Sequence, residues 1–415
     1  MRLRGTEMKA VVFTVVSVAL GFVTFRACAE FRKAAEPRNV PELLRTTAGD
    51  KVETVRDWEL VRRQEIKSIL CENVYGVRPV ERPADLSFSE TTRQQPCYGG
   101  RAIRKRVRAT YSGPGGRQAF NLSAWIPAAC HPSAVFVYCS PQLAEYADLT
   151  NGPMASYWLP VEEIVRRGYS AIAFCSEEIA IDWDKADCAS NGVFKAFGPE
   201  DLTKRQPTEW GIVSAWAWGV SRIVDWIETE PSLDSRRIAV VGFSRYGKAA
   251  LVAGAFDERI AMTISCCSGC AGAKLNHIDL WTSERIKNII GAEKWFCPAF
   301  RQYVGKESSM PFDQHFLLAL VAPRLLYVSS ATEDPWAGPR GEFWSAAYAS
   351  RAWELYGMPA FVQHGFPKAN VPLLGGSIGY HIREGVHDIT RYDWRCYMDF
   401  ADRHGWNIKQ GRGRK

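Results

Sequence analysis

A serine becomes a nucleophile when a nearby base takes its proton and a carboxylate orients that base. Ser244 stands where such use is expected, in Ile238-Ala-Val-Val-Gly-Phe-Ser-Arg-Tyr-Gly-Lys-Ala-Ala-Leu251. The β-branched run IAVV reads as a strand and the segment from Lys248 as a helix, so Ser244 falls at a strand-to-helix corner. Such a corner strains the backbone and needs small neighbours; Gly242 is two residues before the serine. The second glycine, Gly247, is three after it, and Tyr246 holds the place where the common G-x-S-x-G pattern has glycine. A helix starting near Lys248 would aim its free amides at a developing oxyanion.

The partners should follow in the order serine, acid, histidine. The histidines after Ser244 are His277, His315, His364, His381, His387 and His404. His387, in Gly379-Tyr-His-Ile-Arg-Glu-Gly-Val-His-Asp-Ile-Thr390, is expected in a loop between the last strand and a final helix. His381, in the strand itself, reads as a packed core residue, and His315 as structural. The acid should follow the strand RLLYVSS (324–330), where Glu333 and Asp334 stand together. Either carboxylate is within the pattern.

The elements that must hold these groups can be read from periodicity. Residues 102–125 alternate apolar and polar on both sides of Ser-Gly-Pro-Gly-Gly, as a β-hairpin does. Continuous apolar runs follow at 134–138, 170–174, 238–241, 261–265 and 324–330. Helical segments at 160–167, 211–230, 248–256 and 342–356 separate them. Continuous rather than alternating strands between helices indicate a mostly parallel sheet covered on both faces. The expected architecture is an α/β-hydrolase fold with an antiparallel N-terminal start. Residues 30–415 form a single domain in this reading.

Residues 1–29 read as a signal peptide: a basic start, the apolar run AVVFTVVSVALGFVTF, and Ala27-Cys28-Ala29 as the cleavage site. A run of this length is short for a bilayer span. The expected protein is therefore secreted or periplasmic, with no stable membrane association after cleavage. That leader carries Arg2, Arg4, Lys9, Arg26 and Glu7, so its loss lowers the net charge from +7 to +4. So mild a charge gives no reason to expect a nucleic-acid partner. The chain's 12 cysteines include one CxxC, Cys267 and Cys270, and no second pair of metal-site spacing, so neither metal nor cofactor is expected. Export allows disulfides, and Cys270 with Cys297 is a possible pair.

Taken together these segments resemble the glucuronoyl esterases, carbohydrate esterase family fifteen, bacterial members most closely. The resemblance rests on Val240-Val-Gly-Phe-Ser-Arg-Tyr-Gly-Lys-Ala-Ala-Leu251, Tyr75-Gly76 with Pro79, and Trp210-Gly with Ala-Trp-Ala-Trp-Gly (215–219). It continues through Asp313-Gln-His, Leu320-Val-Ala-Pro-Arg324, Glu333-Asp-Pro-Trp-Ala-Gly-Pro-Arg-Gly-Glu-Phe343, Gly379-Tyr-His-Ile-Arg, His387-Asp and Tyr392-Asp-Trp394. It implies hydrolysis of esters between 4-O-methyl-glucuronate on xylan and alcohols of lignin. By matching positions, Ser244 is the nucleophile, His387 the base and Arg245 the group beside the oxyanion. Lys248, Glu284 and Trp336 match positions that hold the sugar. Many members carry a catalytic acid after the strand that follows the nucleophile. Here that segment is Ser265-Cys-Cys-Ser-Gly-Cys270, with Cys267 at the acid position, and the resemblance gives the orienting task to Asp334, which matches an alternative acid position of the family. The expectation is a monomeric serine esterase acting on glucuronoxylan or another uronate ester. Alternatives are an acetyl-xylan or other carbohydrate esterase on the same fold, and a carbohydrate-binding homologue with weakened turnover.

Overall fold

The computed structural model describes residues 37, 39–129, 132–140, 158–182, 188–199, 204–278, 282–290, 294–359, 361 and 365–407. The leader expected at residues 1–29 lies outside them, as does His364. Among the described residues, no helix is long and apolar enough to cross a membrane.

One ten-stranded sheet organises the chain, in the order β1-β3-β4-β6-β5-β7-β8-β9-β10 with β2 on β3. The strands are β1 (Ser87–Glu90), β2 (Gln95–Cys97), β3 (Ala102–Gly113), β4 (Gly116–Pro127), β5 (Ser133–Ser140), β6 (Ser170–Cys175), β7 (Leu233–Phe243), β8 (Met262–Cys266), β9 (Leu325–Ala331) and β10 (Ile378–Arg383). The expected hairpin is the antiparallel pair β3 and β4, from Ala102↔Pro127 to Gly113↔Gly116. Strands β5 to β10 pair in parallel with one another, and β6 joins the hairpin by an antiparallel pairing with β4.

The apolar runs are continuous because both faces of the sheet are buried. Val135, Val137, Ile238 and Val240 enter one core with the helix Ile212–Ile227 and the helix Arg245–Phe256. The alternate residues Phe136, Tyr138, Ala239 and Val241 enter the other, with Ile164, Val165, Trp394, Tyr397 and Phe400. Those five come from the helices Val161–Arg166 and Arg391–Arg403. The helix read at 342–356 starts earlier, with Pro339 in its first turn, and continues as two pieces, Pro339–Ala349 and Arg351–Leu355.

This order decides where the chemistry can be. Four adjacent parallel strands, β7, β8, β9 and β10, end at Phe243, Cys266, Ala331 and Arg383. Ser244, Cys267, Asp334 and His387 all lie within four residues beyond those ends. Crevices outside the carboxyl ends of parallel strands are where such sheets bind ligands.

Candidate functional site

The corner after β7 is as tight as its sequence suggests. Ser244 has φ 57° and ψ −127°, a region that L-residues avoid at a cost of ~1–3 kcal/mol. Its N–H donates to the Cys266 carbonyl at 2.9 Å, and its carbonyl accepts from Gly247 N at 2.9 Å, which hold the turn. A Cβ on Gly242 would come within 2.0 Å of the Tyr246 carbonyl oxygen, so only glycine fits there. The departure from G-x-S-x-G also has a reason. Tyr246 turns into the core, its ring 4.7 Å from that of Trp216, while Gly247 faces Ser268, where a Cβ would approach to 2.9 Å. The helix begins at Arg245, three residues before the expected Lys248, so the unpaired amides of its first turn start directly after the serine.

The structure brings Ser244, His387 and Asp334 together. His387 Nε2 lies 2.9 Å from Ser244 Oγ, and Nδ1 lies 2.6 Å from Asp334 Oδ2. The Asp334 carboxylate is buried at 2% exposure and its other oxygen accepts from Ala337 N at 3.1 Å. Glu333, its neighbour, is exposed, and its N–H is used by the Gly385 carbonyl at 2.9 Å. A hydroxyl so held beside an imidazole, itself bound to a buried carboxylate, can attack a carbonyl and hand its proton to the ring.

The loop carrying His387 is fixed from below by a residue that sequence reading did not single out. Arg383, at the end of β10, donates to the carbonyls of Glu384 (3.0 Å), Val386 (2.8 Å) and Asp388 (2.6 Å), on both sides of the histidine. Arg383 is anchored in turn by Asp393 at 3.0 Å. The imidazole packs on Phe243, with ring centroids 4.7 Å apart. Asp388 Oδ1 accepts from Trp158 Nε1 at 3.1 Å.

His381 is a core residue, as expected. Fully buried, it lies between Asp393 Oδ1 (2.8 Å from Nε2) and the Tyr327 hydroxyl (2.9 Å from Nδ1). Burial works against its charge, but the hydrogen bond and field of Asp393 outweigh it and raise the imidazole to about 9. A group raised in the folded state stabilises fully below its unfolded value, here about 6.5, and that contribution is lost as pH rises through about 9. His381→Asn should therefore lower unfolding free energy, toward the lower end of ~3–5 kcal/mol because Arg383 still pairs with Asp393. Urea melts at pH 6.5 and 9.5 check this. The wild type should lose stability at the higher pH by a component the variant lacks, and equal pH responses would contradict the assignment. His315 is also structural, buried with Nε2 3.0 Å from the Pro41 carbonyl oxygen. Burial lowers it to about 4.

Arg245 projects its exposed side chain from the first turn of its helix. Its guanidinium is bound to Asp182 and lies over Trp295, 4.7 Å from the ring centroid; Trp295 Nε1 also donates to Asp182. This clamp, built from Asp182 and Trp295, aims the cation with donors to spare. Neither residue is marked by any local pattern.

Lys248 requires a correction. It does not reach outward to a sugar. Its ammonium is buried and donates to the carbonyls of Ser268 (2.6 Å) and Cys270 (2.6 Å) and to Glu284 Oε2 (2.7 Å), which accounts for its three protons. The physical reason is the tight turn after β8, whose inward carbonyls need a cation. Lys248 therefore positions Glu284, which also accepts from Cys270 N at 3.1 Å. Glu284 N donates to the Trp336 carbonyl at 2.8 Å, which ties these two residues side by side. Trp336 is 48% exposed, unusual for so large an aromatic, and can offer its face to a ring.

Cys267 stands at the end of β8 with φ 47°, its N–H bonded to the Ser329 carbonyl at 2.8 Å. Its thiol is pushed well above the usual range by contact with Cys266, by burial, and by the fields of Glu342 and Asp334. A neutral thiol cannot balance an imidazolium. Glu342, another residue missed from sequence, accepts from Ser268 N (2.7 Å), Gly269 N (3.1 Å) and Ser330 Oγ (2.6 Å) and thereby holds this turn. Burial lifts its carboxyl to about 7, against the pull of these donors. The suggested Cys270–Cys297 disulfide is not formed. Both cysteines are free: Cys270 Sγ donates to Asn276 Oδ1 at 3.1 Å, and Cys297 Sγ approaches the Glu72 carbonyl at 3.8 Å.

Comparison with known proteins bears on the chain as a whole. A family model described as glucuronyl esterase, fungi, matches residues 157–357. Carbohydrate esterase MZ0003, from an unknown prokaryotic organism, is 33% identical over 88% of this chain and 89% of its own length. The 4-O-methyl-glucuronoyl methylesterase of Hypocrea jecorina is 31% identical over 75% of this chain and 60% of its own length. A solved glucuronoyl esterase from Solibacter usitatus aligns with a TM-score of 0.80 at 35% identity, covering 88% of this chain and 97% of that one.

Proposed function

This chain belongs to the glucuronoyl esterases, carbohydrate esterase family 15, and from that premise we propose that it hydrolyses esters of 4-O-methyl-glucuronic acid, such as those joining glucuronoxylan to lignin alcohols. The observation that carries the reading is the hydrogen-bonded chain from Ser244 through His387 to buried Asp334. Ser244 Oγ attacks the uronate carbonyl while His387 Nε2 takes its proton. The negative charge that develops on the carbonyl oxygen meets the Arg245 backbone N–H and guanidinium. The protonated imidazole, balanced by Asp334, then gives its proton to the leaving alcohol. An acyl-enzyme is left on Ser244, and water, activated by the same histidine, releases the free uronic acid. Glu284 accepts hydrogen bonds from sugar hydroxyls, Lys248 holds Glu284 in place, and Trp336 lies against the ring. We read the protein as an exported monomer; the leader-like residues 1–29 support the export.

Two readings compete with this one. A plain acetyl ester develops the same oxyanion for Arg245 but carries no sugar hydroxyl on the acyl side for the Glu284 carboxylate to bind. The binding-protein reading draws on Cys267, which stands where the family resemblance implies an acid. Turnover of benzyl glucuronate beside 4-nitrophenyl acetate, with retention on glucuronoxylan, separates them. The expected result is a kcat/KM for the glucuronate higher by about 10²-fold or more, because a site of placed polar groups rejects substrates that leave them unpaired. Preference for the acetate would favour the acetyl-esterase reading. Retention with no turnover of either ester would favour the binding protein.

A further inference from the structure

Three unlike metal-binding groups meet at one point. Sγ of Cys267, a carboxylate oxygen of Asp334 and a ring nitrogen of His387 all lie within 4.8 Å of one another. Two of the three are held rigidly and buried at 2% exposure, Cys267 by its backbone bond to Ser329 and Asp334 by Ala337 N. His387 is exposed, which leaves the cluster a path from solvent. We propose that Cys267, Asp334 and His387 form a binding site for a thiophilic divalent cation such as Zn²⁺, and that occupancy shuts the esterase off.

The distances suit the ion. Zn–S of ~2.3 Å and Zn–N and Zn–O of ~2.0–2.2 Å place tetrahedral ligands about 3.3–3.6 Å apart. The Asp334–His387 contact at 2.6 Å must open by about 1 Å, and the thiol must close by about 1.5 Å at most. Small side-chain rotations supply both. Three protein ligands leave a fourth position for water, as zinc sites with an open position do. A sulfur–nitrogen–oxygen set does not suit Mg²⁺ or Ca²⁺, which prefer oxygen alone.

Coordination forms bonds from the metal to sulfur, nitrogen and oxygen without electron transfer. The thiol proton leaves to solvent. The proton on the ring nitrogen facing Asp334 is displaced, and the ring carries it on Nε2 instead. An Nε2–H cannot accept the proton of Ser244, so attack stops. The metal site itself rests on geometry alone; only the loss of activity depends on the esterase reading above.

The test uses the full chain. Zn²⁺ should abolish turnover with one ion bound per chain, a chelator should restore it, and Mg²⁺ and Ca²⁺ should have no effect. Cys267→Ser should keep wild-type turnover without metal and need at least about tenfold more Zn²⁺ for inhibition, since loss of mere supporting partners already costs 10–100-fold in metal affinity. Co²⁺ gives a readout free of activity: near-ultraviolet thiolate-to-cobalt absorption in the wild type and in the inert Ser244→Ala, absent from Cys267→Ser. Equal Zn²⁺ sensitivity of Cys267→Ser and wild type, or Co²⁺ binding without thiolate absorption, would overturn the proposal. If no ester is turned over, the cobalt spectrum alone decides.

Discussion

Ser244→Ala should lower kcat on a glucuronate ester by about 10⁴–10⁶, the usual cost of removing such a nucleophile. The fold should survive the change. What Ser244 contributes to the corner is backbone: its N–H bonds to Cys266 and its carbonyl accepts from Gly247 and Lys248. Alanine keeps all of these and pays the same left-handed strain. The melting temperature should therefore stay within a few degrees of wild type, and substrate binding should persist without turnover. His387→Ala should match it in severity, whereas His381→Asn should act on stability and leave the turnover of the folded fraction nearly intact. Turnover of Ser244→Ala within tenfold of wild type would reduce the serine to a turn residue.

Asp334→Asn carries the second large effect, about 10⁴ in kcat. An asparagine can still accept from Ala337 N, but it then turns an amide toward His387 Nδ1 and favours the tautomer with the proton on Nε2. That ring cannot take the proton of Ser244. An enzyme with a second carboxylate on the histidine would be buffered against this loss; here the other position holds the neutral thiol of Cys267. The converse experiment follows from distance. A glutamate at 267 extends farther than the thiol, which already lies within 4.8 Å of the His387 ring nitrogen. Cys267→Glu should thus restore part of the activity lost in Asp334→Asn. Glu333→Gln should be silent, since that side chain is exposed. A damaging Glu333→Gln beside a nearly active Asp334→Asn would exchange the roles of the two acids.

What could be read from sequence was what is local along the chain or fixed by its order. The run IAVV, two glycines and a helix former define the corner at Ser244, because backbone strain and strand propensity act over a few residues. The acid and the histidine followed from chain order, since successive parallel strands place their C-terminal ends side by side. What the tertiary structure decided was which groups point where. Glu333 and Asp334 are equivalent in sequence; burial of one and exposure of the other comes from the contact with His387, 53 residues onward. Lys248 looked like a ligand for sugar, yet the carbonyls of the turn after β8 consume its protons, and no local pattern reports on carbonyls 20 residues away. Asp182 and Trp295 clamp Arg245 from segments 113 residues apart, and Arg383 and Glu342 brace the loops at His387 and Cys267. These contacts have no periodicity to betray them. They exist only because the sheet brings distant chain ends within hydrogen-bonding reach.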